Sequence, residues 1–406
     1  MSLSIVALPR EIIFFALFAL IFSRCIAVKF TSLSNHQTMP SNTAAWLQEK
    51  GPLEVKSAPY SPPQDNEIVV KNCAVAINPV DWMKQEMGNI IFSHVKYPFV
   101  MGNDTAGEVV EVGTGVTRFK VGDRVVGHAV GMDPKVNRSA EGAFQTYTVL
   151  RAHMTSPIPS TLSYENAAVI PLGLSTAACG LFEKDQLALP YPSAHRETKT
   201  ADRTILIWGG STSVGSCAIQ LAIAAGYEVI TTCSPRNFDY VKKLGASQAF
   251  DYNKKSTVDD IVRALQGKIV GGAMSIGHGA ADACLDILGK CNGDKALTMA
   301  SYPMPATPPK RFVVLATAYH YLSGMASIWF KSKARRIRTG YIFGSTLVFN
   351  GVGKAIYEDY LPEALAEGAF VAAPDSYVVG TGLEYIQPAF EVLKKGVSAK
   401  KLVVLL

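Results

Sequence analysis

Seven consecutive residues, Gly209-Gly210-Ser211-Thr212-Ser213-Val214-Gly215, have the types and order to hold a pyrophosphate. Small residues let the backbone come close to an anion, and the N–H groups at a helix start carry partial positive charge. Where the simple Gly-x-Gly-x-x-Gly pattern has its middle glycine this loop has Thr212, so the hydroxyls of Ser211, Thr212 and Ser213 are further candidates for phosphate contact. A second group, Ser234-Pro235-Arg236-Asn237, follows the apolar run Glu228 to Cys233. A dinucleotide fold selective for an unphosphorylated ribose ends this run in Asp or Glu. Here no carboxylate stands in the way of a 2′-phosphate, and Ser234 and Arg236 can bind one. The expected cofactor is therefore NADPH (NADP+) rather than NADH. The competing reading of Arg236, a solvated residue at a helix start, puts a cation where the helix dipole disfavours it.

The elements that must position these residues are legible around them. Thr204 to Trp208 is a short apolar run that predicts a buried parallel strand, and Ser216 to Ala225 carries Ala218, Ile219, Leu221, Ala222 and Ala225 at helical spacing. Further strands are expected at Glu228–Cys233, Gln248–Tyr252, Gly272–Ile276 and Lys295–Ser301, and helices at Asn237–Leu244 and Thr257–Leu265. Alternating β and α predicts a doubly wound parallel sheet from about Leu172. Upstream, Ala44–Trp46, Glu67–Lys71, Cys73–Ile77, Gly107–Gly113, Phe119–Gly127 and Glu141–Val149 read as closely spaced strands with glycine turns, a compact barrel-like domain. Phe312 to Phe330 reads as core strand and helix, Leu187 to Arg203 as an exposed insertion, and the tail as helix (Ala355–Ala366), helix (Ile386–Lys394), strand (Leu402–Leu406) returning to the first domain.

The 406 residues, 48% hydrophobic and 18% charged, are the composition of a globular chain with room for two domains. A net charge of +6 is too mild to mark a nucleic-acid binder; of its cations Lys331, Lys333, Arg335, Arg336 and Arg338 form one run, read as a solvated helix face before an anion or RNA patch. Seven scattered cysteines without a Cys-x-x-Cys pair argue against a disulfide framework and a zinc ribbon, and fit a reducing, cytoplasmic setting. Ile12 to Phe22 is an unbroken apolar run, shorter than the ~20 residues a spanning helix needs. It is expected to be a dispensable extension, the alternative being a signal segment or membrane anchor.

Asn78-Pro79-Val80-Asp81, Gly102-Asn103-Asp104-Thr105-Ala106-Gly107, Gly122-Asp123-Arg124-Val125, the loop at 209–215 and Lys400-Lys401-Leu402-Val403-Val404 together resemble the medium-chain dehydrogenase/reductase superfamily, in its zinc-free quinone oxidoreductase and trans-acting enoyl reductase branch. The resemblance runs from about Met39 to the end. It implies an α/β chain: residues 1–38 an extension, 39–171 a GroES-like β-rich catalytic domain, 172–348 a Rossmann domain, and 349–406 a return to the catalytic domain. Zinc-dependent members carry Cys, His, Glu and Cys where this chain has Asn78, Asn103, Asp104 and Leu172, a set without thiolate or imidazole. No metal is expected.

What remains without metal is hydride transfer from a bound nicotinamide to an enone, enoyl thioester or quinone, with an enolate to be stabilised. The resemblance places Asn78, Pro79, Val80, Asp81 and Thr176 beside the nicotinamide, with Gly344-Ser345 helping to line the cleft, and gives Tyr252 a cofactor contact. Lys84 and Tyr147 are candidate donors to the enolate oxygen, weighed against a surface lysine and a core tyrosine. Histidines 94, 128, 153 and 278 form no triad or ligand spacing and are read as structural. A polyketide synthase is the candidate partner. The alternative function is a catalytically silent nucleotide-binding protein that serves as an interaction or RNA-binding module.

Overall fold

The computed structural model describes residues 40–195, 203–303 and 313–406. The extension 1–38 with its apolar run lies outside the described residues, as do residues 196–202 and Phe312.

The first half is β-rich: β1 (Asn42–Leu47), β2 (Glu54–Ala58), β3 (Glu67–Ala76), helix α1 (Pro79–Met87), β4 (Phe99–Val100), β5 (Asp104–Val112), β6 (Arg124–His128), β7 (Tyr147–Arg151) and β8 (Thr155–Pro157). Two runs expected as separate strands, Glu67–Lys71 and Cys73–Ile77, are one long strand, β3, whose pairing with β5 shifts register between Asn72 and Ala74. The strand expected over Glu141–Val149 begins only at Tyr147. Side chains replace the ladder before it. Asn72 Nδ2 donates to the carbonyls of Ala143 and Gln145, and Gln145 Nε2 to those of Ser139, Ala140 and Gly142. Phe119 to Asp123 is likewise turn, and β6 starts at Arg124.

Helices α2 (Tyr164–Ala167) and α3 (Pro171–Phe182) lead into β9 (Arg203–Trp208), α4 (Ser213–Ala224), β10 (Glu228–Cys233), α5 (Phe238–Lys243), β11 (Gln248–Asp251), α6 (Thr257–Ala264), β12 (Ile269–Ser275), α7 (Ala280–Lys290), β13 (Ala296–Met299), α8 (Val313–Ala334) and β14 (Arg338–Tyr341). Six of these strands form one parallel sheet in the order β11-β10-β9-β12-β13-β14. The strand order reverses beside β9, so the crevice at its carboxyl end is where such sheets bind ligands.

The tail runs α9 (Gly351–Lys354), a π-helical turn (Ala355–Tyr360), α10 (Leu361–Ala366), β15 (Asp375–Thr381), α11 (Ile386–Lys394) and β16 (Lys400–Leu405). β16 pairs antiparallel with β3, setting Val403 opposite Ala76 and Val404 opposite Val75. The first sheet thus reads β15-β16-β3-β5-β6-β8, with β7 also on β3.

Helix α3 joins the two halves. Tyr164–Phe182 is apolar enough in composition to cross a bilayer, yet 78% of it is buried inside the protein, as a core helix is. Small residues let neighbours in: a Cβ on Gly173 would lie 3.1 Å from the Ser213 carbonyl oxygen, and one on Gly180 2.4 Å from Met274 Cε. The stretch after α3 is not wholly the exposed insertion expected. Leu187 and Leu189 are buried, their N–H groups bonded to the carbonyls of Gly180 and Leu181. Phe312–Phe330 also differs: α8 is one continuous helix from Val313, and much of its apolar surface faces outward.

Candidate active site

β9 ends at Trp208, and Gly209 (φ +92) turns the chain into the loop with a backbone that L side chains rarely adopt. Gly210 is required by close approach, because a Cβ there would lie 2.1 Å from Thr231 Oγ1 on β10. Thr212 has a structural task. As the N-cap of α4, its Oγ1 accepts the Gly215 N–H (3.0 Å) and donates to the Gly209 carbonyl (2.8 Å). Ser211, Ser213 and Val214 sit half-buried on the open side of the loop, at the start of a 12-residue helix. That helix end fits a dinucleotide pyrophosphate.

At the next strand end, Ser234 Oγ and the half-exposed Tyr252 hydroxyl meet at 3.1 Å. Pro235 and Arg236 are exposed beside them, and among the described residues Arg236 has no ion-pair partner. Asn237 does not join this group: it is buried and donates from Nδ2 to Ser398 Oγ in the tail (3.1 Å). Asp251, opposite Cys233 in β11, turns its carboxylate onto the N–H and side chain of Asn253.

The catalytic half contributes a buried polar centre that no single segment of sequence announces. Asp104, at the start of β5, is fully buried and accepts from the Leu172 N–H of α3 (2.6 Å) and from Asn78 Nδ2 (2.8 Å). Lys401 of β16, equally buried, reaches Asp104 Oδ2 at 2.9 Å and also donates to Asn78 Oδ1. Lys401 is the residue that sequence reasoning quoted but gave no role. A lysine in an otherwise apolar strand, Leu402-Val403-Val404, was the available signal. Asp81 closes the entry into α1 by accepting the Asn78 N–H (2.7 Å), with Pro79 as the first helical residue and Val80 half-buried beside it. The second Asp81 oxygen is buried without a partner. Burial pushes this carboxyl up to about 8; the Asn78 N–H pulls it down, the Asp104 charge raises it and Lys401 lowers it.

A second chain of groups runs along the same face of α3. His128 Nδ1 lies 2.9 Å from Ser175 Oγ, which lies 2.8 Å from the Tyr357 hydroxyl, which donates to the Pro171 carbonyl (3.0 Å). His128, opposite Asp104 in the β5–β6 ladder, is buried with Nε2 unpartnered, and burial lowers its pKa to about 4. Spacing alone had read this histidine as a structural one; its neighbours, Ser175 and Tyr357, came from parts of the chain far apart in sequence. One turn on, Thr176 Oγ1 donates to the Leu172 carbonyl (2.7 Å), and a Cβ on Gly344 would touch it at 2.8 Å. Thr176 and Gly344 thus come together, while Ser345 hydrogen-bonds to Asp133.

Two candidate donors are placed elsewhere. Lys84 is buried rather than on the surface, and its ammonium donates to the carbonyls of Gly88, Ile91 and Phe92 and to Asn89 Oδ1 at 3.0–3.2 Å. These bonds make it a tie across the turn after α1. Tyr147 is corrected more sharply. Its register sets it opposite Lys71, five residues before Ala76 on β3, or roughly 17 Å from the Asn78 end at strand rise. Its ring packs edge-on against Tyr60 (5.4 Å).

The four positions that carry ligands in zinc-dependent members do not suit zinc here: Asn78, Asn103, Asp104 and Leu172 offer two amides, one carboxylate and an alkyl group, and an ammonium already sits on the carboxylate. Among the described residues, His195, Glu363 and Glu367 are the acidic and imidazole groups near enough to share an ion, and all are exposed.

Residues 64–160 match the alcohol dehydrogenase GroES-like domain family, and residues 213–360 the zinc-binding dehydrogenase family. A dehydrogenase of Monascus ruber, pigH, is 56% identical over 90% of this chain and 100% of its own. This chain belongs to the medium-chain dehydrogenase/reductase superfamily. The trans-enoyl reductase himH of Aspergillus japonicus is 38% identical over 89% of this chain and 97% of its own length. Among solved structures, the CurK enoyl reductase superposes with a TM-score of 0.66 at 18% identity, over 90% of this chain and 99% of that one. As a member of that superfamily the chain is an oxidoreductase with a GroES-like domain and a Rossmann-type parallel sheet, in a superfamily that works with nicotinamide cofactors.

Proposed function

We propose that this chain is an NADPH-dependent reductase that passes hydride to an activated alkene, as an enone or enoyl thioester, or to a quinone, without zinc. The observation that carries the reading is the Asn78–Asp104–Lys401 centre, in which the one carboxylate among the zinc-ligand positions is already paired with a buried ammonium. The 38% identical trans-enoyl reductase supports an enoyl acceptor. A polyketide synthase is the partner that would present one as a thioester.

When bound, the dinucleotide supplies the hydride. The protein's own residues bind and orient. Backbone N–H groups of Gly210–Gly215 at the start of α4 would hold the pyrophosphate, and Ser234, Arg236 and Tyr252 the phosphorylated ribose. Asn78 to Asp81 and Thr176 would border the nicotinamide. Asp104 and Lys401 fix the Asn78 side chain from both ends, so its orientation does not have to be found anew in each cycle. The Ser175–Tyr357 chain and the neutral His128 keep α3 tied to the catalytic sheet at the same point.

Two of the five cations in the basic run are not available to the silent-module alternative. Lys331 and Arg335 are held in ion pairs by Asp282 and Asp286 of α7 (2.7 and 2.6 Å), not free for a phosphate backbone.

Two measurements test the proposal. NADPH oxidation at 340 nm against a panel of enones, enoyl thioesters and quinones should show turnover, with well under one zinc per chain by plasma emission spectrometry. Stoichiometric tight zinc, or NADPH binding with no turnover on any acceptor, would overturn it. For cofactor choice, Arg236→Ala should raise the KM for NADPH by roughly 10–100-fold and leave that for NADH unchanged, as loss of one charged hydrogen bond implies. Equal effects on both cofactors would remove Arg236 from the site.

A further inference from the structure

Helix α8 is anchored on its inward side by one buried apolar residue and by polar contacts: Ile328 packs into the core, Ser327 Oγ donates to Asp282 (3.0 Å), Lys331 pairs with Asp282 (2.7 Å), and Arg335, just past its end, pairs with Asp286 (2.6 Å). The outward side is apolar. Leu315, Tyr319, Leu322, Trp329 and Phe330 are 62–71% exposed. At about 100° per residue these five, with Ala326, fall within an arc of about 100°, one continuous stripe. Three aromatic and two leucine side chains exposed to this degree present roughly 600 Å² of apolar surface, at the upper end of what a monomer shows and of the size that marks an interaction site.

We propose that α8 lies along a lipid bilayer bearing anionic headgroups, with this stripe in the acyl boundary. Charge selects that partner. No Asp or Glu occurs anywhere between Asp294 and Glu358. Exposed Lys333 and Arg336, without ion-pair partners among the described residues, stand at the C-terminal end of the stripe. Two copies of the chain stacked in register across this stripe would bring these cations against each other with no acidic side chain of the helix to offset them, whereas anionic headgroups match them. Trp and Tyr on the apolar side suit the bilayer interface, where one end of the ring is dry and the other wet. The ion pairs to α7 keep the opposite side on the protein, so the helix lies on the membrane and does not cross it.

The test uses the full-length protein. It should sediment with phosphatidylcholine vesicles containing about a third phosphatidylserine and much less with phosphatidylcholine alone. Trp329→Glu with Phe330→Glu should lower binding at least ~tenfold, because charged groups replace the inserted side chains. Lys333→Glu with Arg336→Glu should remove the preference for the anionic lipid. To separate α8 from the apolar run at Ile12–Phe22, brominated lipids should quench tryptophan fluorescence in the native chain. That quenching should disappear in the conservative Trp329→Phe variant, which still sediments. No sedimentation of the native chain, quenching unchanged in Trp329→Phe, or a dimer that the double glutamate variant converts to monomer would each overturn the proposal, the last in favour of a second copy.

Discussion

Lys401→Met is expected to lower the stability of the chain by about 3–5 kcal/mol, read as a large fall in melting temperature. The ammonium is buried, so its removal does not merely expose Asp104 to water. It leaves a carboxylate inside the protein with only the Leu172 N–H and the Asn78 amide as partners. The cost is that of an uncompensated buried charge, which no relaxation of a packed ladder can relieve. The cycle is completed by Asp104→Asn. In the double variant both charges are gone, and stability should return to within about 1–2 kcal/mol of the native protein. If Lys401→Met melts like the native chain, the pair is not the centre described above.

The second large effect concerns pH. Asp81 has its folded pKa at about 8, above the ordinary carboxyl value of 3.8, so the folded state holds its proton where the unfolded chain has lost it. The stability this contributes is complete below about pH 4 and is lost as pH rises through 8. Between about pH 6 and pH 9 the native protein should lose about 2–3 kcal/mol from this group alone, and Asp81→Asn, which keeps the Asn78 N–H bond, should not. His128 works in the opposite direction. Its folded value of about 4 lies below the ordinary 6.5, so its contribution is present above 6.5 and lost as pH falls towards 4. Denaturant titrations of the two proteins across that range separate the effects. Parallel curves for native and Asp81→Asn would show that Asp81 is ionised throughout.

Much of the cofactor half was readable from local pattern. A glycine-rich turn between a short apolar run and a helical one has few other uses, and β9, the loop and α4 are where that pattern put them, with the helix beginning three residues earlier because Thr212 caps it. The catalytic half was harder, since its centre is made by pairings across the chain. Lys401 meets Asp104 only because β16 returns to β3, and Tyr357 meets Ser175 through a π-helical turn that has no sequence signature. Asn72 and Gln145 likewise replaced a strand with side-chain bonds, which β propensity cannot register. The α8 segment misled for a different reason. Apolar content was taken to mean burial, whereas the inward side is marked by Ile328 together with the paired Lys331 and Arg335, and the larger apolar residues face out.

Helix α3 carries a mechanical implication. Its first turn holds Asp104 through the Leu172 N–H, while Gly173, one residue later, abuts the Ser213 backbone at the start of α4. A force applied at the glycine-rich loop therefore reaches the buried Asp104 carboxylate through the first turn of α3, in a single step. The segment Phe343 to Phe349 leans on the same helix at Thr176 and Cys179, so a displacement of α3 is felt there as well as at the loop and at Asp104.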